Sequence, residues 1–220
     1  MGLNFNSKTT KALRYYFTAK ESVLSQGYND EIVWQDSLDL RYIDVKTFYS
    51  EYAWVVLSCG MNEIVVRKKF SSLSDRFEFW SNPNKVSKRP KQYTKSGLEV
   101  FNHPGKINAI VWMAQYLSEI SFSEEMEKIR NLGVECLKEY PFMGPASSMH
   151  FAKNIGLYVS KPDRHLVRIA EHLGYKSTEY LCKEISNTIG EKESIIDLIL
   201  WRYATINKGY LKNDSVLVLS

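Results

Sequence analysis

The sequence predicts an all-α protein, and three observations support that fold class. Apolar residues recur at spacings of three and four along most of the chain, as they do on one face of a helix. Prolines, glycines and short polar runs separate these segments. The alternating pattern of a strand is almost absent, apart from an apolar tail at residues 216–219 that we expect to be a short strand or a packing segment. Altogether about ten helices are expected.

The expected helices have clear periodic faces, and local signals justify several of their ends. Asp44 is an expected N-cap of a long apolar helix that should be buried, and Asn102 or His103 is expected to cap a later one. Residues 25–45 are turn-rich and are expected to form a loop or an incomplete helix. Residues 81–96 are polar, basic and contain two prolines, which favours a loop. The expected helices are 8–24, 44–59, 63–70, 74–80, 107–117, one starting at 123, one ending at 140, 146–154, 166–173, 177–189 and 193–207.

Two helices joined by a tight turn are expected around Pro141. Pro141 cannot continue the first helix, and Pro145 suits the first position of the second. Gly144 is expected to supply backbone angles, or a close approach, that a side chain would forbid. Gly156 is the expected C-cap of the second helix, and Asp163 opens a third.

Composition indicates a folded, non-membrane protein. The chain has 220 residues, of which 44% are hydrophobic and 25% charged, with a net charge of +4 that permits nucleic-acid binding without requiring it. No apolar run is long enough to span a bilayer, and no signal-peptide region begins the chain. Cys59, Cys136 and Cys182 are far apart and are expected to be reduced core thiols. We expect a cytoplasmic monomer, associated with the nucleoid if the source is bacterial.

The hairpin and the aspartate that follows it together resemble the helix-hairpin-helix DNA glycosylase superfamily, which includes endonuclease III and 8-oxoguanine glycosylase. The family hairpin reads Leu-Pro-Gly-apolar-Gly-x-x-Thr/Ser-Ala, and residues 140–148 here read YPFMGPASS. The family's catalytic aspartate lies in an Asp-x-His-x-x-Arg context. Here Asp163 begins DRHLVR and lies 17 residues after Ala146. Phe142 replaces the first hairpin glycine of the family, so this turn departs from the common form.

The resemblance covers roughly residues 44–168 and implies a single glycosylase-like domain of two helical lobes. One lobe would span about residues 44–130, and the other about residues 131–207 together with the N-terminal helix. The hairpin would lie at their junction. The chain has no closely spaced group of four cysteines, so the iron–sulfur cluster of some relatives is not expected.

The resemblance also implies a reaction on double-stranded DNA. A modified or damaged base would be flipped out of the stack, and its N-glycosidic bond hydrolysed. Asp163 would stabilise the positive charge that builds on the sugar and would orient or deprotonate a water molecule. Bifunctional relatives carry a lysine nucleophile about where Ala146 falls here, so a monofunctional enzyme is expected, with Lys153 as a less favoured nucleophile. An oxidised, alkylated, mismatched or hypermodified base all remain open, and a hypermodified base would suit defence against foreign DNA.

The expected DNA contacts are of three kinds. Backbone amides of the turn and of the second helix would hold a phosphate, and the residues involved are Phe142, Met143, Gly144, Ala146, Ser147 and Ser148. In the family, main-chain carbonyls of this turn also hold a monovalent cation, which implies K⁺ or Na⁺ on Phe142 and Gly144; no side-chain metal site and no organic cofactor are expected. By the resemblance, Met61 and Asn62 would fill the gap left by the flipped base. Lys88, Arg89, Arg164 and His165 would contact phosphates.

Plainer interpretations stand beside these. Asp163 in Pro-Asp-Arg-His is also an ordinary N-cap, Met61 also suits a loop packed on the core, and the basic residues also suit a solvated surface. The alternatives are therefore a non-catalytic helix-hairpin-helix module that binds DNA for a partner, and a helical scaffold that binds no nucleic acid. The side chains that would stack on a base, or else lie in the core, are Trp54, Phe101, Trp112, Trp201 and Tyr203.

Overall fold

The computed structural model describes residues 7–160 and 163–212, and all regular structure in these residues is helical. The all-α class is confirmed, with thirteen α-helices and two short 3₁₀ turns in the described residues. The α-helices are α1 Ser7–Ser25, α2 Asn29–Ser37, α3 Val45–Ser58, α4 Glu63–Arg76, α5 Pro83–Ser87, α6 Pro90–Val100, α7 Pro104–Glu119, α8 Phe122–Leu132, α9 Val134–Leu137, α10 Pro145–Asn154, α11 Arg164–His172, α12 Thr178–Ile189 and α13 Glu193–Ile206. The 3₁₀ turns are Leu40–Tyr42 and Glu78–Trp80. The apolar tail at 216–219 lies outside the described residues.

No helix in the described ranges combines the length and apolar character needed to cross a membrane. The chain divides into two compact units. Residues 39–157 form one, which we call the central unit, and residues 1–38 with residues 158–220 form the other, which we call the terminal unit. Residues 131–157 therefore belong with residues 39–130, unlike the expected division. The reason is packing: the rings of Tyr140 and Phe151 lie edge-to-face against Phe48 of α3, with centroids 6.4 and 4.9 Å away.

The central unit is built around α3 and α7, whose apolar faces are almost wholly buried. Helix α7 packs against α3, α5 and α6. Glu125 of α8 is buried, and its carboxylate accepts hydrogen bonds from the hydroxyls of Tyr116 and Tyr140. These bonds stabilise the carboxylate away from water and link α7, α8 and the turn after α9.

The terminal unit has its own core, formed by the facing apolar residues of α1, α11, α12 and α13. Polar bonds close its edges. The carboxylate of Glu191 accepts from the hydroxyl of Tyr16 and from Lys20, with the Lys20 distance at 2.7 Å. Arg202 of α13 donates to both carboxylate oxygens of Glu31, at 2.9 and 2.6 Å, and so joins α13 to α2.

The prediction of a loop at residues 81–96 is wrong, because this region contains α5 and most of α6. Pro83 and Pro90 each lie at the first helical position, where the missing amide hydrogen has no intrahelical acceptor to lose. Asn82 caps α5 by accepting from the amide of Lys85 at 3.0 Å. The two prolines therefore begin helices, whereas the prediction treated them as helix breakers.

Two further boundaries differ from the sequence expectation. Residues 25–45 contain a complete helix, α2, and a 3₁₀ turn rather than a loop. The prediction of a separate helix at 74–80 is wrong, because α4 continues to Arg76, where the helix ends, and a 3₁₀ turn follows at Glu78–Trp80. Glu78, Phe79 and Trp80 all have left-handed backbone angles, with φ of 56°, 51° and 64°.

The glycine expectations had different outcomes at the two ends of α10. Gly156 follows the C-cap with φ of +87°, and an added Cβ would lie 2.6 Å from the backbone nitrogen of Leu40, so the expected special position is confirmed. The prediction that Gly144 supplies unusual backbone angles or a close approach is wrong. Its φ is −68°, its ψ is 179°, and an added Cβ would meet open space. The left-handed residue of this turn is Phe142, with φ of +66°.

Candidate functional site

The candidate site lies where the turn between α9 and α10 meets the loop between α3 and α4, within the central unit. The amide of Met143 donates to the carbonyl oxygen of Tyr140 at 3.1 Å and closes the turn. The hydroxyl of Tyr52 donates to the carbonyl oxygen of Pro141 at 2.9 Å, which attaches the turn to α3. Burial raises the pKa of the Tyr52 hydroxyl well above its ordinary value, so this donor keeps its proton at physiological pH.

The first turn of α10 is open to solvent. Gly144, Pro145 and Ala146 are exposed, Ser147 is half-buried, and no described side chain caps this helix. Helix N-termini with free amides and the positive end of the helix dipole favour anions. By contrast α3 has a side-chain cap, in which Asp44 accepts from the amide of Thr47 at 2.7 Å.

Only part of the expected phosphate-binding segment faces outward. Met143 is buried at 3% exposure, and Ser148 is fully buried, with its amide bonded to the carbonyl oxygen of Gly144 at 2.9 Å and its hydroxyl to that of Pro145. The accessible surface of the turn is formed by Phe142 and by residues 144–147. A phosphate would therefore meet the amides of Ala146 and Ser147 rather than that of Ser148.

The loop between α3 and α4 touches this surface directly. The thiol of Cys59 lies 3.1 Å from the hydroxyl of Ser147, and it also points to the carbonyl oxygen of Phe142 at 3.7 Å. Cys59 is half-buried, so it is not the core thiol that the sequence suggested, whereas Cys136 and Cys182 are buried. All three are free.

The same loop presents the two residues nominated as wedge. Met61 is 40% exposed. Asn62 has another task, since its side chain caps α4 by accepting from the amide of Ile64 at 2.9 Å. Ile64, at the start of α4, is 63% exposed and is a second exposed apolar residue in this part of the chain, which the sequence did not predict.

A buried lysine lies behind the loop. Lys106 is 2% exposed, and its Nζ donates to the carbonyl oxygens of Leu57 and Cys59, both at 2.6 Å. These carbonyls end α3 and have no helical partner of their own. Burial lowers the pKa of Lys106. His103 caps the helix that carries Lys106, accepting the Lys106 amide at 3.3 Å, so one of the two expected caps is confirmed.

Comparison with known proteins identifies no family. No family model, curated protein or solved structure matches this chain.

Asp163 belongs to the terminal unit, where it caps α11. Its Oδ1 accepts from the amides of His165 and Leu166, at 2.8 and 3.0 Å. The side chain is half-buried. The imidazole of His165 lies 3.2 Å from the hydroxyl of Tyr210, which orients the ring within this unit, while Arg164 is exposed.

Two ionisable residues of the central unit are at least half-buried, a property that the sequence did not predict. Lys153, the alternative nucleophile, is 8% exposed on α10. Glu51 of α3 accepts from the side-chain amide of Asn154 at 2.7 Å, and burial raises the pKa of Glu51 to about 7. Nothing in the local sequence around Glu51 distinguishes it from a surface glutamate, because its environment comes from α10.

The candidate stacking residues separate clearly by burial. Phe101 and Tyr203 are core residues at 4% and 2% exposure. Trp112 lines an open groove of about 620 Å³ between α6 and α7, together with Lys91 and Lys95, and Trp54 lines a smaller cleft beside α4. The remaining candidate, Trp201, has the guanidinium of Arg202 over its ring at 4.7 Å.

The basic residues nominated from the sequence are accessible. Lys88 and Arg89 form the exposed link between α5 and α6. Within residues 7–160 and 163–212, no three His, Cys, Asp or Glu side chains are grouped so as to hold a metal ion. Neither the contact of Cys59 with the hairpin nor the burial of Lys106 was predicted from the sequence. A lysine inside an apolar helical face, as in Lys106-Ile107, was the available signal for the second.

Proposed function

We propose that this protein is a monofunctional DNA glycosylase that flips a modified base from double-stranded DNA and hydrolyses its N-glycosidic bond. The observation that carries the proposal is the direct contact between Cys59 and Ser147 at 3.1 Å. It joins the loop to which the resemblance assigns the wedge to the turn to which it assigns phosphate binding. An exposed, uncapped helix start and an exposed apolar tip on one unit suit a protein that holds the DNA backbone and opens the stack.

The hairpin would bind the backbone without reading sequence. The amides of Ala146 and Ser147 would donate to a phosphate, and Met61 would enter the gap left by the base. A monovalent cation fits the same turn, because a carbonyl oxygen has two lone pairs and those of Phe142 and Gly144 each use only one in described bonds, to Cys59 and Ser148. The cation would add positive charge beside the phosphate.

Asp163 would carry the chemistry. Its Oδ1 is fixed by two helix amides, and among the described residues Oδ2 has no hydrogen bond, so Oδ2 is the oxygen available to a water molecule. The bond from C1′ to the base nitrogen breaks, and the carboxylate stabilises the positive sugar. Water adds to C1′ and gives a proton to Oδ2, the nitrogen of the leaving base takes up a proton from solvent, and Oδ2 then returns its proton to solvent. Ala146 supplies no amine, so no Schiff base forms there.

The test uses duplex oligonucleotides that carry a panel of modified bases, including hypermodified cytosines, with and without alkali. Asp163→Asn is the informative variant, because asparagine caps a helix about as well as aspartate does. In the wild type we expect strand cleavage only after alkali. In Asp163→Asn the rate of base excision should fall by at least about 10²-fold. Asp44→Asn, the same exchange at the cap of α3, is the control and should keep full activity.

A second candidate function is a non-catalytic module that binds DNA for a partner. It is favoured by the bonds of Asp163 themselves, because a plain N-cap accounts for both of them. This alternative predicts DNA retention with no excised base from any member of the panel, and no effect of Asp163→Asn.

A further inference from the structure

An aromatic cleft lies beside α4 in the central unit, and the glycosylase proposal does not use it. Its volume is about 340 Å³, and its walls include the rings of Trp54, Phe70 and Phe79. Arg67 and Asp75 lie at its polar margin. Small-ligand sites are typically clefts of at least about 300 Å³ with apolar or aromatic walls and a few polar groups, and this cleft has that character.

Phe79 lines this cleft with a left-handed backbone conformation that residues with a side chain rarely adopt. Phe79 is 59% exposed and has φ of +51°, in the middle of three consecutive left-handed residues, none of which is glycine. Its neighbours Phe77 and Trp80 are buried, with their rings stacked at 5.4 Å. Glu78 binds Lys85 and Tyr93 at 2.8 and 3.0 Å. Contacts on both sides therefore fix the turn and leave an apolar ring facing solvent, an arrangement found at binding sites more than in plain connections.

The lining residues from α3 and α4 are also held by contacts of their own. The ring of Trp54 lies edge-on to Phe70 with centroids 5.2 Å apart, and the guanidinium of Arg67 lies over Trp54 at 5.3 Å. Successive spacings of three and one along α4 place five lining residues on one face of the helix: Arg67, Phe70, Ser71, Ser74 and Asp75. These contacts hold the two rings in place, and a planar ligand ring that stacks on Trp54 would take the place of the Arg67 guanidinium on the face that it covers.

The polar groups specify what kind of planar ring. Arg67 is an exposed donor that suits a phosphate, and its present partner is Glu63 at 2.6 Å on the same helix. Asp75 is exposed, is in no ion pair among the described residues, and only accepts hydrogen bonds when ionised. A nucleotide whose base has an exocyclic amino group combines a flat ring, a phosphate for Arg67 and a donor for Asp75. Nucleobases also stack on aromatic side chains whatever their sequence.

We propose that the cleft between Trp54 and Phe79 binds a nucleotide, with the base against the aromatic rings, the phosphate at Arg67 and an exocyclic amino group at Asp75. This site goes beyond the proposed excision reaction, because it uses neither the hairpin nor Asp163. It would hold an unstacked nucleotide, free or within a strand.

The test is a titration of the intact protein with CMP, AMP and UMP, followed by the indole N–H signal of Trp54 in NMR spectra. Trp54→Phe identifies that signal among the five tryptophans. We expect a saturable shift with CMP and AMP. Phe79→Ala should weaken binding about tenfold, as loss of one base–aromatic stack does. Phe17→Ala, a matched loss of an exposed phenylalanine on α1, should leave binding unchanged.

Two further variants test the polar assignments. Arg67→Gln should weaken the binding of CMP but not the binding of cytidine, which has no phosphate. Asp75→Asn should reduce the preference for binding CMP over UMP. Asp163→Asn should bind CMP as the wild type does, so that failure of the excision proposal does not count against the cleft. A Trp54 signal that none of the three nucleotides shifts at millimolar concentration overturns the proposal. So does equal affinity in Phe79→Ala and Phe17→Ala, because the ligand would then bind elsewhere.

Discussion

The Nζ of Lys106 donates a hydrogen bond to the carbonyl oxygen of Cys59 at 2.6 Å, and Cys59 is the residue that touches the hairpin. Cys59 has its thiol 3.1 Å from the hydroxyl of Ser147. A buried ammonium thus holds the end of α3 in the position from which its loop reaches the turn before α10. The exposed tip at Met61 follows Cys59 by two residues, so its placement depends on this bond.

Lys106→Met should destabilise the central unit. The exchange leaves the carbonyl oxygens of Leu57 and Cys59 without their donor, which costs about 2 kcal/mol of unfolding free energy. Urea unfolding followed by circular dichroism measures the change. Lys68→Met, at an exposed position of α4, should stay within about 0.5 kcal/mol of the wild type. Equal stability of the two variants would contradict the role given to Lys106.

Replacing Phe142 should reveal its left-handed backbone. Both Phe142→Ala and Phe142→Gly remove the ring, but only glycine accepts φ of +66° without a Cβ clash. We expect the glycine variant to be more stable than the alanine variant by about 1 kcal/mol, measured by thermal unfolding. At Phe17, inside α1, the order should reverse because glycine is the poorer helix former. If alanine is the better residue at both positions, the turn is not strained.

Stability should depend on pH through Glu51. Burial raises the pKa of Glu51 to about 7, above its ordinary value of 4.5, so the folded protein keeps a proton that the unfolded chain has lost. This contribution is fully present at pH below 4.5 and is lost as the pH rises through 7. Between about pH 5 and about pH 8, the wild type should lose about 1–3 kcal/mol more unfolding free energy than Glu51→Gln does.

Glutamine suits that comparison because it resembles the protonated acid and can still accept from Asn154, whose amide now lies 2.7 Å from Glu51. Glu119→Gln, at the exposed end of α7, should keep the wild-type pH dependence. The assignment fails if Glu51→Gln and the wild type show the same slope of unfolding free energy against pH.

A negative charge at the start of α10 should separate helix stability from phosphate binding. Ala146→Glu places a carboxylate at the positive end of the helix dipole, which should raise or preserve stability. The same charge would repel a DNA phosphate, lowering affinity and reducing the slope of log K against log salt by about one. Ser123→Glu adds an equal charge to the first turn of α8 and should leave DNA binding unchanged. Equal DNA affinity in both variants would exclude the hairpin from the interface.

Borohydride should trap no covalent complex between the wild-type protein and DNA that contains its product. Ala146 has no amine, and Lys153 is 8% exposed. A Schiff base needs an accessible, neutral amine that can attack the sugar aldehyde. The measurement is a denaturing gel of protein and labelled oligonucleotide after reduction. A trapped band that disappears in Lys153→Arg would show a bifunctional enzyme instead.

Local signals were sufficient for most of the helices. The cap at Asp44, the proline at the start of α10 and the positive φ of Gly156 all act within a few residues, so the sequence predicts them directly. The same local logic failed at Pro83 and Pro90, because a proline starts a helix as readily as it ends one. The prediction for Gly144 was wrong because the left-handed residue of the turn is Phe142, which lies in the chain between the buried residues Tyr140 and Met143.

By itself, the sequence determined the helical class, the positions of most helices and the capping role of Asp163, because these depend on side chains within about one turn of each other. Only the tertiary structure decided that Cys59 meets Ser147, that Lys106 bonds the end of α3, that Glu51 is half-buried beside Asn154 and that Phe79 lines an aromatic cleft. Each of those contacts joins residues far apart in the chain or fixes a backbone through its packed neighbours. Their energies depend on how the helices pack, and helical periodicity carries no record of which faces will meet.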